Sequence, residues 1–260
     1  MNSDLNLAKE AALEAGSIIM KYYKKDYDVH EKSYHNPVTT ADKEADEKIK
    51  EILLHNNSDY GWLSEETVDS KERLSKKYIW VVDPLDGTKE FIEGIPNFVV
   101  SIALVRDNSS ILGVLYNPVS GELFSAMKDN GSFLNGEAIS CSNKSKLNQM
   151  VILNSRSETN RGLWDSYHNM FKELKPIGSV AYKLGLTAAG IGDIFATLRP
   201  KNEWDICAGT CIINESGGKV IDLNGNDITF NNEKTLIEPG LIAGEAGSVN
   251  KMFLAISEKI

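Results

Sequence analysis

Apolar residues recur at Leu5, Ala8, Ala12, Ala15, Ile19 and Tyr22, which is the spacing of one helix face. The pattern predicts a helix over residues 4–24 with Ser3 as its cap. A turn over 35–42, HNPVTTAD, leads into a second helix with Ala45, Ile49, Ile52 and Leu53 on one side. Thr39 and Asp42 within that turn have the spacing of a capping box. The period then changes. Ile79, Trp80, Val81 and Val82 read as a buried strand, and 98–105 and 110–118 as two more, joined by the polar turn 106–109. Residues 121–127 complete an antiparallel meander, and 131–139, rich in Gly and Asn, read as turn material. The segment 141–149 is polar and poor in apolar residues, so it marks a boundary between an N-terminal α+β half (residues 1–145) and a C-terminal half (residues 146–260). Beyond it strands (150–154, 193–199, 219–223, 240–244) alternate with helices (160–174, 179–192, 204–218, 246–258), which predicts an α/β layer.

The composition, 42% hydrophobic and 25% charged over 260 residues, is that of a globular chain with room for one large domain or two coupled ones. A net charge of -9 with no basic run argues against a nucleic-acid polymer or an anionic membrane surface as partner. Cys141, Cys207 and Cys211 form no CxxC, and their odd number fits a reducing compartment better than a disulfide framework. The charged, amphipathic N-terminus is neither a signal peptide nor a membrane span, so the cytoplasm is the expected location.

The candidate chemistry centres on the end of the buried strand. After Val82 the chain reads Asp83-Pro84-Leu85-Asp86-Gly87-Thr88. Pro84 cannot donate to a ladder and Gly87 admits unusual backbone angles, so the strand turns there and presents two carboxylates. Carboxylates held together repel unless a cation or proton lies between them, and hard divalent cations take such oxygens. The residues from Thr88 onward can begin a short helix whose N–H groups favour an anion. Further carboxylates stand at strand ends or helix starts: Asp42, Glu65 with its neighbour Glu66, and Asp205 after Trp204. Singly, Asp42 and Asp205 also read as helix caps, and Glu65 as a surface residue. Other chemistries lack their signatures. There is no P-loop, no GxSxG and no HExxH, Gly190-Ile191-Gly192 lacks a third glycine, and His30, His35, His55 and His168 read as surface residues without ligand spacing.

Four of these stretches resemble, in order, the motifs of the inositol monophosphatase superfamily of Mg2+-dependent, lithium-sensitive phosphatases: NPVTTAD (36–42), LSEE (63–66), WVVDPLDGTKEF (80–91) and WDICAG (204–209). Ser64 stands where a Gly is common, and Cys207 where an Ala is. The resemblance implies the layered α-β-α-β-α sugar-phosphatase fold and two or three Mg2+ ions per site. It implies metal ligation by Glu65, Asp83, the Leu85 carbonyl, Asp86 and Asp205, with Asp83 bridging two ions. Asp42 and Thr88 would orient a metal-activated water, and the backbone around Gly87 and Thr88 would hold the phosphate. Glu66 would support its neighbour. It also implies a small phosphate ester as substrate and a possible homodimer.

Lys89-Glu90-Phe91 after the DGT resembles the 3'(2'),5'-bisphosphate nucleotidase branch, so the expected substrate is 3'-phosphoadenosine 5'-phosphate or its sulfate analogue. Lys183, in a stretch resembling the family's substrate-side loop, could meet a second phosphate or be a surface lysine, and Asn202 or Glu203 a sugar hydroxyl. The alternative substrate is inositol-1-phosphate or a related sugar phosphate. A non-catalytic nucleotide- or metal-binding protein is the alternative of another class.

Overall fold

A computed structural model describes residues 2–25, 28–33, 36–55 and 57–257, with the backbone alone for 30–33, 36 and 37. The chain opens with α1 (Asn2–Tyr22), a hairpin of β1 (Val29–Ser33) and β2 (Asn36–Thr39), and α2 (Thr40–His55). β3 (Gly61–Ser64), β4 (Tyr78–Asp86), α3 (Thr88–Ile92), β5 (Val99–Arg106), β6 (Ser109–Asn117), β7 (Glu122–Met127), β8 (Ser132–Leu134) and β9 (Glu137–Ala138) follow. Then come β10 (Val151–Ser155), α4 (Arg156–Asn160), β11 (Glu173–Ile177), α5 (Val180–Ala188), β12 (Ile194–Thr197), β13 (Lys201–Asn202) and α6 (Glu203–Glu215). β14 (Gly218–Asp222), β15 (Leu236–Ile237), β16 (Leu241–Glu245) and α7 (Ala246–Ser257) close it.

Strands β3 to β9 form a seven-stranded sheet in sequence order, and β11-β10-β12-β16-β14 form a five-stranded one. β3 runs parallel to β4, and the other neighbours in the first sheet are antiparallel, including the expected meander. The layers follow from alternation along β4. Trp80 and Val82 pack with α1 and α2, whereas Ile79 and Val81 face the opposite core with α5 and α6. Both faces are covered, which is why the strand reads as a continuous apolar run. Burying each such side chain contributes roughly 1.5–3 kcal/mol. The second sheet lies beyond α5 and α6, and α7 and the 3-10 turn Asp165–Met170 cover its far face. The result is the expected α-β-α-β-α stack. Its middle layer is shared, because α5 and α6 come from the second half of the chain and pack on the sheet of the first.

Several local expectations are corrected. Ser3 lies inside α1, which already includes Asn2. The helix expected over 160–174 is instead the end of α4, a 3-10 turn and β11. Pro176 made a strand hard to read there, but β11 is the sheet edge, where a proline breaks no ladder. Within 131–139 only Asn135-Gly136 turn; the residues around them pair as β8 and β9. The charged link KERLSKK conceals Arg73, which is 2% exposed and donates to Asp69, the Asn231 side chain and the Asn232 carbonyl. His55 and His168 are exposed, as expected; His35 and the side chain of His30 lie outside the described residues. Cys207 and Cys211 are buried, free thiols. No helix among the described residues is long and apolar enough to cross a membrane.

Candidate active site

The two sheets leave a cleft of about 550 Å3 at the carboxyl end of β4, and Glu65, Asp83, Asp86 and Asp205 all line it. Each arrives by a different local device. Glu65 follows β3 directly, and its N–H donates to Val82 O at 3.2 Å, prolonging the parallel pairing by one residue. The β4–β5 register shifts between Asp83 and Asp86, so the ladder breaks at Pro84 and the two carboxylates come to the strand end. Leu85 N–H donates to Asp83 Oδ1 at 3.0 Å and fixes that side chain. Asp205 stands in the first turn of α6 and accepts from Asn202 N–H at 3.0 Å. The capping role readable for Asp205 is therefore real, and its carboxylate reaches the cleft as well. Helix α6 itself is seated by a close approach: a Cβ on Gly113 of β6 would meet Ala208 O at 2.3 Å. Ser101 and Ser110 hydroxyls donate to the carbonyls of Trp204 and Cys207 at 3.3 and 2.9 Å.

Carboxylate oxygens of Glu65, Asp83 and Asp205 lie within 4.8 Å of one another. Asp86 stands beside this trio. Its Oδ2 accepts from the Ser179 hydroxyl and from Ala181 N–H at 2.6 Å. Burial and the charges of Glu65, Asp86 and Asp205 push the Asp83 carboxyl well above the usual range. Asp205 is raised likewise, by burial and then by Asp86 and Glu65. Burial pushes Asp86 up to about 6, against the opposing pull of its Ser179 bond and the Lys183 charge. Acids so crowded require either protons or a cation. Oxygens sharing one octahedral Mg2+ sit about 3–4 Å apart, given bonds of about 2 Å, so the trio fits a hard divalent ion after a small contraction.

Asp42 lies behind the cleft wall, 2% exposed. Its two oxygens divide the two readings the sequence allowed. Oδ2 accepts from Thr39 N–H at 2.7 Å and from the Thr39 hydroxyl at 2.5 Å, which caps α2. Oδ1 accepts from the Thr88 hydroxyl at 3.1 Å. Thr88 Oγ1 also lies 3.2 Å from Leu85 O, so its single proton has two acceptors. Gly87 makes this geometry possible: its φ is 104°, and a Cβ there would meet Asn97 O at 2.9 Å. The backbone of Gly87 and Thr88 lines the cleft beside the carboxylates.

Lys183 is not a surface lysine. It is 2% exposed, and Nζ donates to the carbonyls of Ile177 and Ser179 at 2.9 and 2.5 Å. Burial pulls its ammonium down to about 8, with Asp86 opposing. It lines the cleft, yet two of its donors hold the loop whose Ser179 holds Asp86. Glu203 does not face a sugar site. Fully buried, it accepts from Asn231 and Asn232 N–H at 2.7 and 2.8 Å. Asn202 does line the cleft. Two cations there carry no sequence signature. Arg199 stands on the wall, and Arg156 bridges to Glu90 and Glu93 at 2.7 and 2.8 Å. Neither has a motif spacing; the only signal is their position beside strand ends of the C-terminal half.

Comparison with known proteins agrees with this geometry. The model described as the inositol monophosphatase family matches residues 1–260. The chain belongs to the inositol monophosphatase family. Its members are phosphomonoesterases, and this chain is one of their hydrolase group. It is 34% identical over 234 residues to inositol monophosphatase 3 of Solanum lycopersicum, covering 86% of this chain and 87% of that one. An IMPase of Thermotoga maritima superposes with a TM-score of 0.88 at 26% identity, covering 99% of this chain and 98% of that one. CysQ of Bacteroides thetaiotaomicron, a bacterial member of the family, superposes with a TM-score of 0.77 at 30% identity, covering 94% and 97%.

Proposed function

We propose that the protein hydrolyses the 3'-phosphate of 3'-phosphoadenosine 5'-phosphate, with Mg2+ held at Glu65, Asp83, Asp205, the free oxygen of Asp86 and the Leu85 carbonyl. The observation that carries the metal assignment is the convergence of three carboxylates within 4.8 Å from three separate elements. When bound, Mg2+ supplies a lowered pKa for water and neutralises charge on the ester. The chain's own groups do the rest. The Thr88 hydroxyl donates to Asp42 Oδ1, which leaves its lone pairs to accept from an attacking water. Asp42, raised by burial, then stands as the proton acceptor behind it. The charge of Glu65 reaches Asp42 and helps to raise it, so Glu65 is assigned with Asp42 and Thr88 to the reacting side. Backbone N–H groups of Gly87 and Thr88, which line the cleft, would hold the phosphate.

Substrate choice rests on the cations of the same cleft. Lys89, Arg156, Arg199 and Lys201 line it together with the carboxylates. A substrate with a second phosphate suits such a lining, and an inositol monophosphate brings no second anion to it. The Lys89-Glu90-Phe91 resemblance points the same way. Relatives named for inositol monophosphate keep that ester as the second reading. Phosphate release from the two compounds, side by side, with Mg2+ or a chelator, decides between them. Preference for the nucleotide supports the proposal; preference for the inositol ester keeps the mechanism and overturns the substrate. Binding of the nucleotide without any release would favour the non-catalytic reading. The free thiols fit the cytoplasm. Two or three ions per site, a homodimer and lithium inhibition belong to the same proposal, and Mg2+ titration, sedimentation and Li+ titration test them.

A further inference from the structure

α2 carries a second buried carboxylate, Asp46, which no step above uses. It is 6% exposed and lies one turn beyond Asp42, on the same helix face. Its Oδ1 accepts from the Ser64 hydroxyl, and its Oδ2 from the Thr67 hydroxyl at 2.8 Å. The two hydroxyls flank Glu65-Glu66. Each is itself an acceptor on its other side: Ser64 Oγ takes Glu66 N–H at 3.3 Å, and Thr67 Oγ1 takes Trp62 Nε1 at 3.3 Å. One carboxylate thus closes a ring of hydrogen bonds from Trp62 to Thr67, with Glu65 at its apex.

We propose that Asp46 is a positioning residue for Glu65, acting through Ser64 and Thr67 to hold that ligand toward Asp83 and Asp205. The physical need is plain. Three like charges within 4.8 Å drive each other apart, and Glu65 is the member carried by a short strand end rather than by a long strand or helix. A ligand whose backbone is already fixed spends none of the binding energy on being ordered. Both Asp46 oxygens accept, so both hydroxyls point at it, and that sets the direction of every other bond in the ring. Ser64 stands where the resembling motif has a glycine, and a glycine cannot make this bond, so the device is written into this chain's own residues. α2 then serves both sides of the reaction: Asp42 sets Thr88, and Asp46 sets Glu65.

The inference rests on Glu65 being a metal ligand, so both claims are measured together. The readout is Mn2+ affinity of the substrate-free protein by electron paramagnetic resonance, beside thermal unfolding in a chelator. Asp46→Asn keeps the shape but offers an amide where Thr67 donates. It is expected to weaken Mn2+ binding about 10–100-fold. Ser64→Ala is expected to weaken it too, and the double variant to lose no more than the worse single one. A merely structural Asp46 would lower the unfolding temperature and leave Mn2+ affinity within twofold, which overturns the proposal. Should Asp46→Asn fail to fold, Ser64→Ala and Thr67→Val carry the same test by the same criterion. Affinity lost with Glu65→Gln but kept in these variants overturns the positioning role alone. Affinity that survives Glu65→Gln overturns the ligand assignment and the inference with it.

Discussion

Replacing Asp83 by Asn should make the metal-free protein more stable while removing its capacity to hold Mg2+. Asp83 is 1% exposed, and one of its oxygens lies within 4.8 Å of an oxygen of Glu65 and of one of Asp205. At an effective dielectric of about 20, one such like-charge pair costs about 3.5 kcal/mol. The protein can escape by taking a proton, at about 1.4 kcal/mol per pH unit above an ordinary Asp pKa of about 3.9, so roughly 5.5 kcal/mol bounds the cost at pH 8. Asn keeps an oxygen for the Leu85 N–H bond and carries no charge. A gain of about 3 kcal/mol is expected, which for a chain of this length raises Tm by roughly 6–12 °C. The sign of the pH dependence follows from the raised pKa. In the wild type the contribution is fully present below the unfolded value and is lost as pH rises through the higher folded one. Asp86, pushed up to about 6, adds its charge to the cluster over the same rise. Asn does not titrate. The advantage of the variant should therefore be small near pH 4 and largest at pH 8, as read by calorimetry in a chelator. Saturating Mg2+ should reverse the order, since only the wild type gains from binding. A variant less stable than wild type at pH 8 without metal would refute the reasoning.

Thr88→Ala should lower kcat by about 10²–10⁴ while leaving Mn2+ affinity within twofold, because it removes the donor to Asp42 and no carboxylate; a large loss of metal binding would contradict that division of roles. Lys201→Met should raise KM for the bisphosphate nucleotide several-fold and leave KM for inositol-1-phosphate nearly unchanged, since Lys201 is one of the cations lining the cleft; equal effects on both would remove the substrate argument. Residues 1–145 expressed alone should fail to show a cooperative thermal transition, because the inner face of the first sheet packs on α5 and α6; a cooperative transition would show that this half needs no such cover.

Most of the candidate site was legible because its carboxylates sit in short runs whose backbone behaviour is local. A strand ending at Asp83-Pro84 must break its ladder, and Gly87 at a φ of 104° must turn. Asp42 was legible twice, as a cap and as a partner of Thr88, and both readings hold because each oxygen of the carboxylate has its own donor. What escaped depends on contacts between distant residues. Lys183 reads as a surface lysine or a phosphate contact and Glu203 as a contact to a sugar hydroxyl, yet carbonyls and N–H groups brought by other loops bury them. Arg73 stands in the charged run KERLSKK, and Asn231 and Asn232, far along the chain, meet it and bury it. Strand β11 was missed because Pro176 opposes a strand everywhere except at an edge, and edge position is a property of the sheet, not of the segment.

Anomalous diffraction from crystals soaked in Mn2+ tests the central claim most directly. The account predicts a peak enclosed by Glu65, Asp83, the Leu85 carbonyl and Asp205, lost in crystals of Asp83→Asn. A peak elsewhere, or one that persists in that variant, would contradict it.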